Sequence, residues 1–234
     1  MGVKMREFLT NSVYFGVIIS LAGYILGLKM NHTFKSNLCN PLLISIIFVM
    51  TVLAIFRVDY DNYNSGAKIL SYMLTPATVC LAIPLYQQLE LLKKNIKAVF
   101  FGILAGMFSS LISVLALAYL FRLSHEQYVT LLPKSITTAI GLGISEELGG
   151  ITTITVAVII ITGVLGNMIA ELICKIFRIH HPVAVGLALG TSAHAIGTAK
   201  ALEIGEIEGA MSSLSIAVCG LLTVIGASVF ANFL

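Results

Sequence analysis

Residues Leu189 to Glu203 read LGTSAHAIGTAKALE. Inside a strongly apolar chain this stretch collects Thr191, Ser192, His194, Thr198 and Lys200 around Gly190 and Gly197. A helix crossing lipid does not need such residues. Polar side chains at bilayer depth face a protein interior or a watery cavity and mark a pathway. Glycines permit local unwinding, which is tolerated only where the freed backbone lines a cavity or is covered by protein. The stretch therefore reads as a broken membrane helix that carries a solute site. Part of it also serves packing, since Gly186 and Gly190 form a small-x-x-x-small pair that lets helices approach closely.

The surrounding composition fixes the class. The 234 residues are 58% hydrophobic and 11% charged, with a mean hydropathy of +0.98. A soluble domain would carry about 25% charged residues to cover its surface. Long continuous runs of Leu, Ile, Val and Ala exclude a membrane barrel, whose strands alternate over about 10 residues. The chain is an all-helical integral membrane protein. Its net charge of +3 is small, and the densest basic group, Lys93, Lys94 and Lys97, reads as a cytoplasmic anchor rather than a nucleic-acid patch. Cys39, Cys80, Cys174 and Cys219 are scattered through apolar sequence and read as small buried hydrophobes.

Taken in order, Lys4 and Arg6 precede a run from Phe8 to Leu28, long enough to span and read as an uncleaved first helix. A loop with Lys29, His32 and Lys35 leads to a second run, Leu38 to Phe56. Arg57 to Lys68 reads as a polar, tyrosine-bearing loop at the interface. The run from Ile69 to Leu91 contains Pro76 and Pro84, each of which removes a backbone donor, so it is a broken or re-entrant segment. Lys97 to Phe121 is uninterrupted, with Gly102 and Gly106 for packing. A third interrupted segment covers 129–150, and Ile151 to Cys174 is a clean span ending in an i,i+4 pair, Glu171 and Lys175. After the broken stretch at 183–203, Gly209 to Leu234 forms the last span.

A weak internal repeat links the halves 8–121 and 121–234. At an offset of 113, Thr78 aligns with Thr191, Ile83 with Ile196, Glu90 with Glu203, and the breaker Pro84 with Gly197. About eight hydrophobic segments in two four-segment repeats, with interruptions at matching places, is a transporter pattern that points to the site. The repeats are expected to be inverted, within a single domain spanning the chain.

The polar stretches narrow the chemistry. Gly190 and Gly197 are too far apart for a phosphate loop, and Thr198 stands where Lys would be required. Lys134 beside Ser135 lacks the S-x-x-K spacing of Ser–Lys hydrolases. The five histidines show no metal-ligand grouping. No enzyme, metal or cofactor is implied, and solute binding fits. The candidate substrate-binding residues are Thr75, Thr78, Pro84, Lys134, Ser135, Thr137, Thr138, Glu146, Thr191, Ser192, His194, Gly197, Thr198 and Lys200. Lys134, His194 and Lys200 supply positive charge, the hydroxyls donate hydrogen bonds, and Glu146 is the candidate carrier of a coupled proton. Pro84 and Gly197 mark the breaks.

Several of these stretches are recognisable. TPATVCLAIPLY (Thr75 to Tyr86), PKSITT (Pro133 to Thr138), GISEELGG (Gly143 to Gly150), PVAVGLALGTSAHAIGTAKALE (Pro182 to Glu203) and EIEGAMSSLS (Glu206 to Ser215) resemble the LrgB/CidB family. That family comprises bacterial holin- and antiholin-like membrane proteins, and the plastid glycolate/glycerate translocator contains a related domain. The chain departs from the family pattern at Ala139 and Thr152, where Pro is usual, and at Lys200, where Arg is usual.

The resemblance implies a multi-pass protein of the bacterial plasma membrane, paired with a small LrgA/CidA-like membrane partner. It also implies control of murein hydrolase activity and lysis, and movement of small carboxylates such as pyruvate or glycolate. Two function classes follow. One is a carrier of small monocarboxylates with alternating access, with Glu146 as the candidate carrier of a coupled proton. The other is a holin-like pore-forming or pore-regulating protein with no specific substrate. Glycine pairs on several spans lead us to expect a homo-oligomer, most simply a dimer.

Overall fold

The computed structural model describes residues 14–34 and 40–234, except for the side chains of Leu74, Thr75 and Thr78. The described residues are helical, without strands. They divide into two compact units, one ending at Cys80 and the other running from Leu81 to Leu234.

The first unit holds α1 (Phe15–Phe34), α2 (Pro41–Phe56), α3 (Tyr60–Tyr72) and α4 (Leu74–Cys80). Asn40 starts α2 by accepting from the Leu42 and Leu43 amides at 2.9 and 3.3 Å, and Pro41 follows at the first helical position, where its missing donor costs nothing. Small residues set the packing. A Cβ on Gly27 would lie 2.5 Å from the Pro41 carbonyl oxygen, and one on Gly16 would strike the backbone of α3 at Tyr63.

Two expectations are corrected here. Arg57 to Lys68 is not a loop: Tyr60–Tyr72 is a helix. Its polar residues point outward, while Tyr63 and Ala67, four apart, face α1, and the Tyr63 hydroxyl bonds Ser20 Oγ at 2.8 Å. Nor does α1 end at Leu28, since it continues through Lys29 and His32 to Phe34. The expected start at Phe8, Lys35 and Cys39 lie outside the described residues.

The second unit contains α5 (Ala82–Gln87), α6 (Leu89–Lys94), α7 (Ile96–Phe121), α8 (His125–Leu131), α9 (Thr138–Glu147), α10 (Thr152–Ile176), α11 (Pro182–Ile204) and α12 (Glu206–Phe230), closed by a 3₁₀ turn at Ala231–Phe233. The interruptions predicted at 69–91 and 129–150 are present. The first run is cut into α4, α5 and α6, and the second is the hairpin α8–loop–α9.

α12 is the centre of this unit, packed against α11, α7 and α5. One stripe of α7, Val99, Ile103, Met107, Leu111, Val114 and Ala118, is buried at helical spacing. Much of its remaining surface is apolar and exposed, with Phe101 at 66%, as expected for a helix solvated by lipid. Four described helices are long and apolar enough to cross a membrane: Phe15–Phe34, Ile96–Phe121, Thr152–Ile176 and Glu206–Phe233. Pro41–Phe56 is a shorter apolar helix.

Candidate solute site

The site begins with the hairpin. Ser124 and Gln127 form a capping box that starts α8, and Pro133 follows its end. Chain freed between two short helices at membrane depth must find partners for its backbone. Thr130 and Thr155 supply them. Thr130 Oγ1 bonds the Glu126 carbonyl at 2.6 Å and accepts from the Ile151 amide at 2.8 Å. Thr155, on α10, donates to the Thr130 carbonyl at 3.0 Å and lies 2.7 Å from Ser145 Oγ. The hairpin is thus tied at both ends to α10.

This clamp presents Lys134 and Ser135 to α7. Ser135 Oγ accepts from Lys134 Nζ at 2.9 Å and from Ser110 Oγ at 3.0 Å. The three residues line a cleft of about 1110 Å³ between α7, α10 and α11. Lys134 is half-buried, and no described carboxylate lies within ion-pair distance of it. A cation held in this way within a membrane protein calls for an anion.

The break in α11 lies beside the cleft. Ala193 (φ −127°, ψ 15°) and His194 (φ 42°, ψ −135°) are non-helical. A positive φ at a histidine is strained and persists only where its surroundings enforce it. His194 Nε2 sits 3.0 Å from the Ile159 carbonyl on α10. Thr198 Oγ1 contacts the His194 carbonyl at 3.1 Å and Ser212 Oγ at 2.7 Å. Asn167 donates to the Ile196 carbonyl at 3.0 Å. The break is therefore satisfied from α10 and α12.

Not all the sequence candidates meet at this site. Lys134, Ser135, Thr191 and Ser192 line the cleft. His194 is buried in the break and Thr198 beside it, neither on the cleft wall. The predicted break at Gly197 is corrected to Ala193–His194. Gly197 is helical, and a Cβ there would sit 2.6 Å from the Leu189 carbonyl oxygen.

Lys200 pairs with Glu171 at 2.7 Å and Glu203 at 3.3 Å, away from the cleft. That pairing also replaces the expected Glu171–Lys175 bridge. Glu146 is exposed, so the fold does not supply the enclosed setting expected for it. Thr137 precedes α9 and Thr138 begins it. Pro84 is half-buried in α5, which packs on α12. The side chains of Thr75 and Thr78 lie outside the described set. Of the cysteines, Cys219 is buried, whereas Cys174 is half-buried on the cleft wall and Cys80 is exposed.

Sequence reading missed Ser109, Ser110 and Ser113, which line the cleft from α7. Their signal was present as three hydroxyls on one face of an otherwise apolar span.

The position of His194 predicts a structural rather than a solute-binding role. His194→Leu loses the bond to Ile159 and leaves a strained, positive-φ position without its anchor, so it should lower stability by about 1–3 kcal/mol. His194→Gln should recover part of that loss. Thermal unfolding of the purified variants checks this order, and a His194→Leu protein as stable as wild type would remove the anchor.

Residues 20–233 match the LrgB-like family model. The chain belongs to the LrgB family. It is 38% identical over 226 residues to proteins described as antiholin-like protein LrgB from Bacillus cereus (strain B4264) and Bacillus anthracis (strain A0248), covering 96% of this chain and 98% of each relative. No solved structure matches it. As an LrgB-family protein with several spanning helices, it is a multi-pass protein of the bacterial membrane.

Proposed function

We propose that this LrgB-family protein is a carrier of small monocarboxylates of pyruvate or glycolate size. The observation that carries this reading is the lone Lys134 ammonium in the cleft, flanked by Ser135 and Ser110. A carboxylate there would gain a charge-assisted bond to Lys134. Thr191 and Ser192, already bonded to the Leu187 and Ala188 carbonyls, keep acceptor capacity for a donor on the solute.

Alternating access would use the broken helices in two related halves. Helix boundaries support such a repeat: Asn95 before α7 and Gly205 before α12 are each a single residue joining a short or half helix to a long span, 110 residues apart. That spacing lies within one helical turn of the 113 found by matching residues. A homodimer and a small LrgA-like membrane partner complete the proposal, with control of murein hydrolase activity and lysis downstream of the transported acid.

A second reading is favoured by the relatives' description as antiholin-like: a pore regulator without a specific substrate. Uptake of radiolabelled pyruvate into liposomes containing this chain alone separates the two. The carrier should saturate and be competed by glycolate. Leakage that never saturates and admits unrelated solutes would show the pore and end the carrier reading.

A further inference from the structure

The dimensions of the cleft carry the substrate class further. Its volume of about 1110 Å³ is at the upper end of sites that hold drug-sized ligands, far more than a three-carbon acid fills. The lining on α7 extends from Asn95 to Ser113. From Ser110, beside the cation, back to Asn95 is about 22 Å of helix at 1.5 Å per residue. The lining is largely apolar, with Ala105 on α7, Leu165 and Ile169 on α10 and Leu187 on α11, beside the hydroxyls of Ser109 and Thr162. Lys134, Ser135 and Ser110 form one hydrogen-bonded polar cluster suited to a carboxylate, and Asn95 and His181 also line the cleft.

Resting on the carrier reading above, we infer that the cleft, besides small acids, also accepts monocarboxylates bearing an apolar tail, with the carboxylate on Lys134 and the tail lying along α7 toward Asn95. Each methylene buried against Leu165, Ile169 and Leu187 should improve affinity about fourfold, the equivalent of ~0.8 kcal/mol. Two- and three-carbon acids bind through the charge alone. A hydroxyl beside the carboxylate can donate to Thr191 or Ser192, whose own protons are given to backbone carbonyls, so tailed 2-hydroxy acids also belong to the class.

The test is equilibrium binding of radiolabelled acetate, butyrate, hexanoate and octanoate to the full chain in lipid nanodiscs. Wild type is compared with Ala105→Phe and Lys134→Met. Ala105 is an exposed position on the cleft wall, so a larger side chain there projects into the tail space rather than into packed core. Wild-type affinity should climb about fourfold per methylene. Ala105→Phe should lower the ratio of octanoate to acetate affinity at least tenfold. Lys134→Met should weaken every acid by a similar factor.

A flat series in wild type, with acetate binding still dependent on Lys134, overturns the tail inference and leaves the carrier reading standing. An equal climb in wild type and Ala105→Phe assigns the gain to partition into the bilayer, which also overturns it. If no acid shows Lys134-dependent binding, the carrier reading itself fails.

Discussion

Lys134→Met should give a protein that inserts and folds normally but binds its carboxylate about 10- to 150-fold more weakly. The factor follows from losing one charge-assisted contact worth ~1.5–3 kcal/mol. The sign of the stability change is opposite to the usual one for a half-buried residue. Among the described residues Lys134 has no carboxylate partner and bonds Ser135 Oγ, so replacing the ammonium by an apolar side chain removes a desolvation cost. The variant's thermal midpoint should equal or exceed that of wild type. Lys134→Arg keeps the charge and should retain most binding. Concentration-dependent uptake and thermal unfolding, measured at matched protein levels, check both halves. Wild-type affinity in Lys134→Met would sink the assignment of the cation.

The largest loss of folded protein is expected from Gly190→Ala. A Cβ there would lie 2.5 Å from the Ser212 carbonyl oxygen and 2.7 Å from Ser215 Cβ. Gly186, one turn earlier, approaches the Glu208 carbonyl in the same way. These contacts are with backbone, so no rotamer change relieves them and α11 must move off α12. Overpacking of this kind costs ~1–3 kcal/mol or more. Separating the helices also strains the Thr198–Ser212 bond, adding ~0.5–1.5 kcal/mol. Gly143→Ala is the control, because a Cβ on Gly143 meets nothing within 4 Å. There the change should be neutral or stabilising by up to ~1 kcal/mol. The fraction of monodisperse protein surviving a heat step reads the contrast. Equal survival of the two variants would refute close α11–α12 packing at Gly190.

The balance between what sequence and fold each disclosed follows from which interactions are local. Spans such as Ile96–Phe121 were legible because lipid demands long apolar runs. The hairpin at 129–150 was legible because Pro133 and the glycines interrupt such a run. Lys134 stood out because a cation in that setting is costly.

The α11 break was placed near, but not at, the right residue. Glycine was assumed to mark it, whereas Gly197 is small to admit the Leu189 carbonyl, and His194 takes the positive φ while bonding Ile159. That bond joins residues 35 apart, so no local pattern announces it. Lys200 misled for the same reason, its partner Glu171 lying on a different helix. The helix at Tyr60–Tyr72 resembles a loop in sequence because its polar residues outnumber Tyr63 and Ala67, which contact α1.

The clamp on the hairpin sets an order of events during biogenesis. When the ribosome has delivered α8 and α9, the Thr130 carbonyl still lacks the Thr155 hydroxyl, and the Thr130 hydroxyl lacks the Ile151 amide. A segment so short and so incompletely bonded has no reason to leave the aqueous side of the insertion machinery by itself. Both partners arrive only with the start of α10, so the hairpin is expected to enter the bilayer together with that helix. Lys134 is then expected to cross as a passenger of the following helix, and a nascent chain stopped near Gly150 should leave that charge in water.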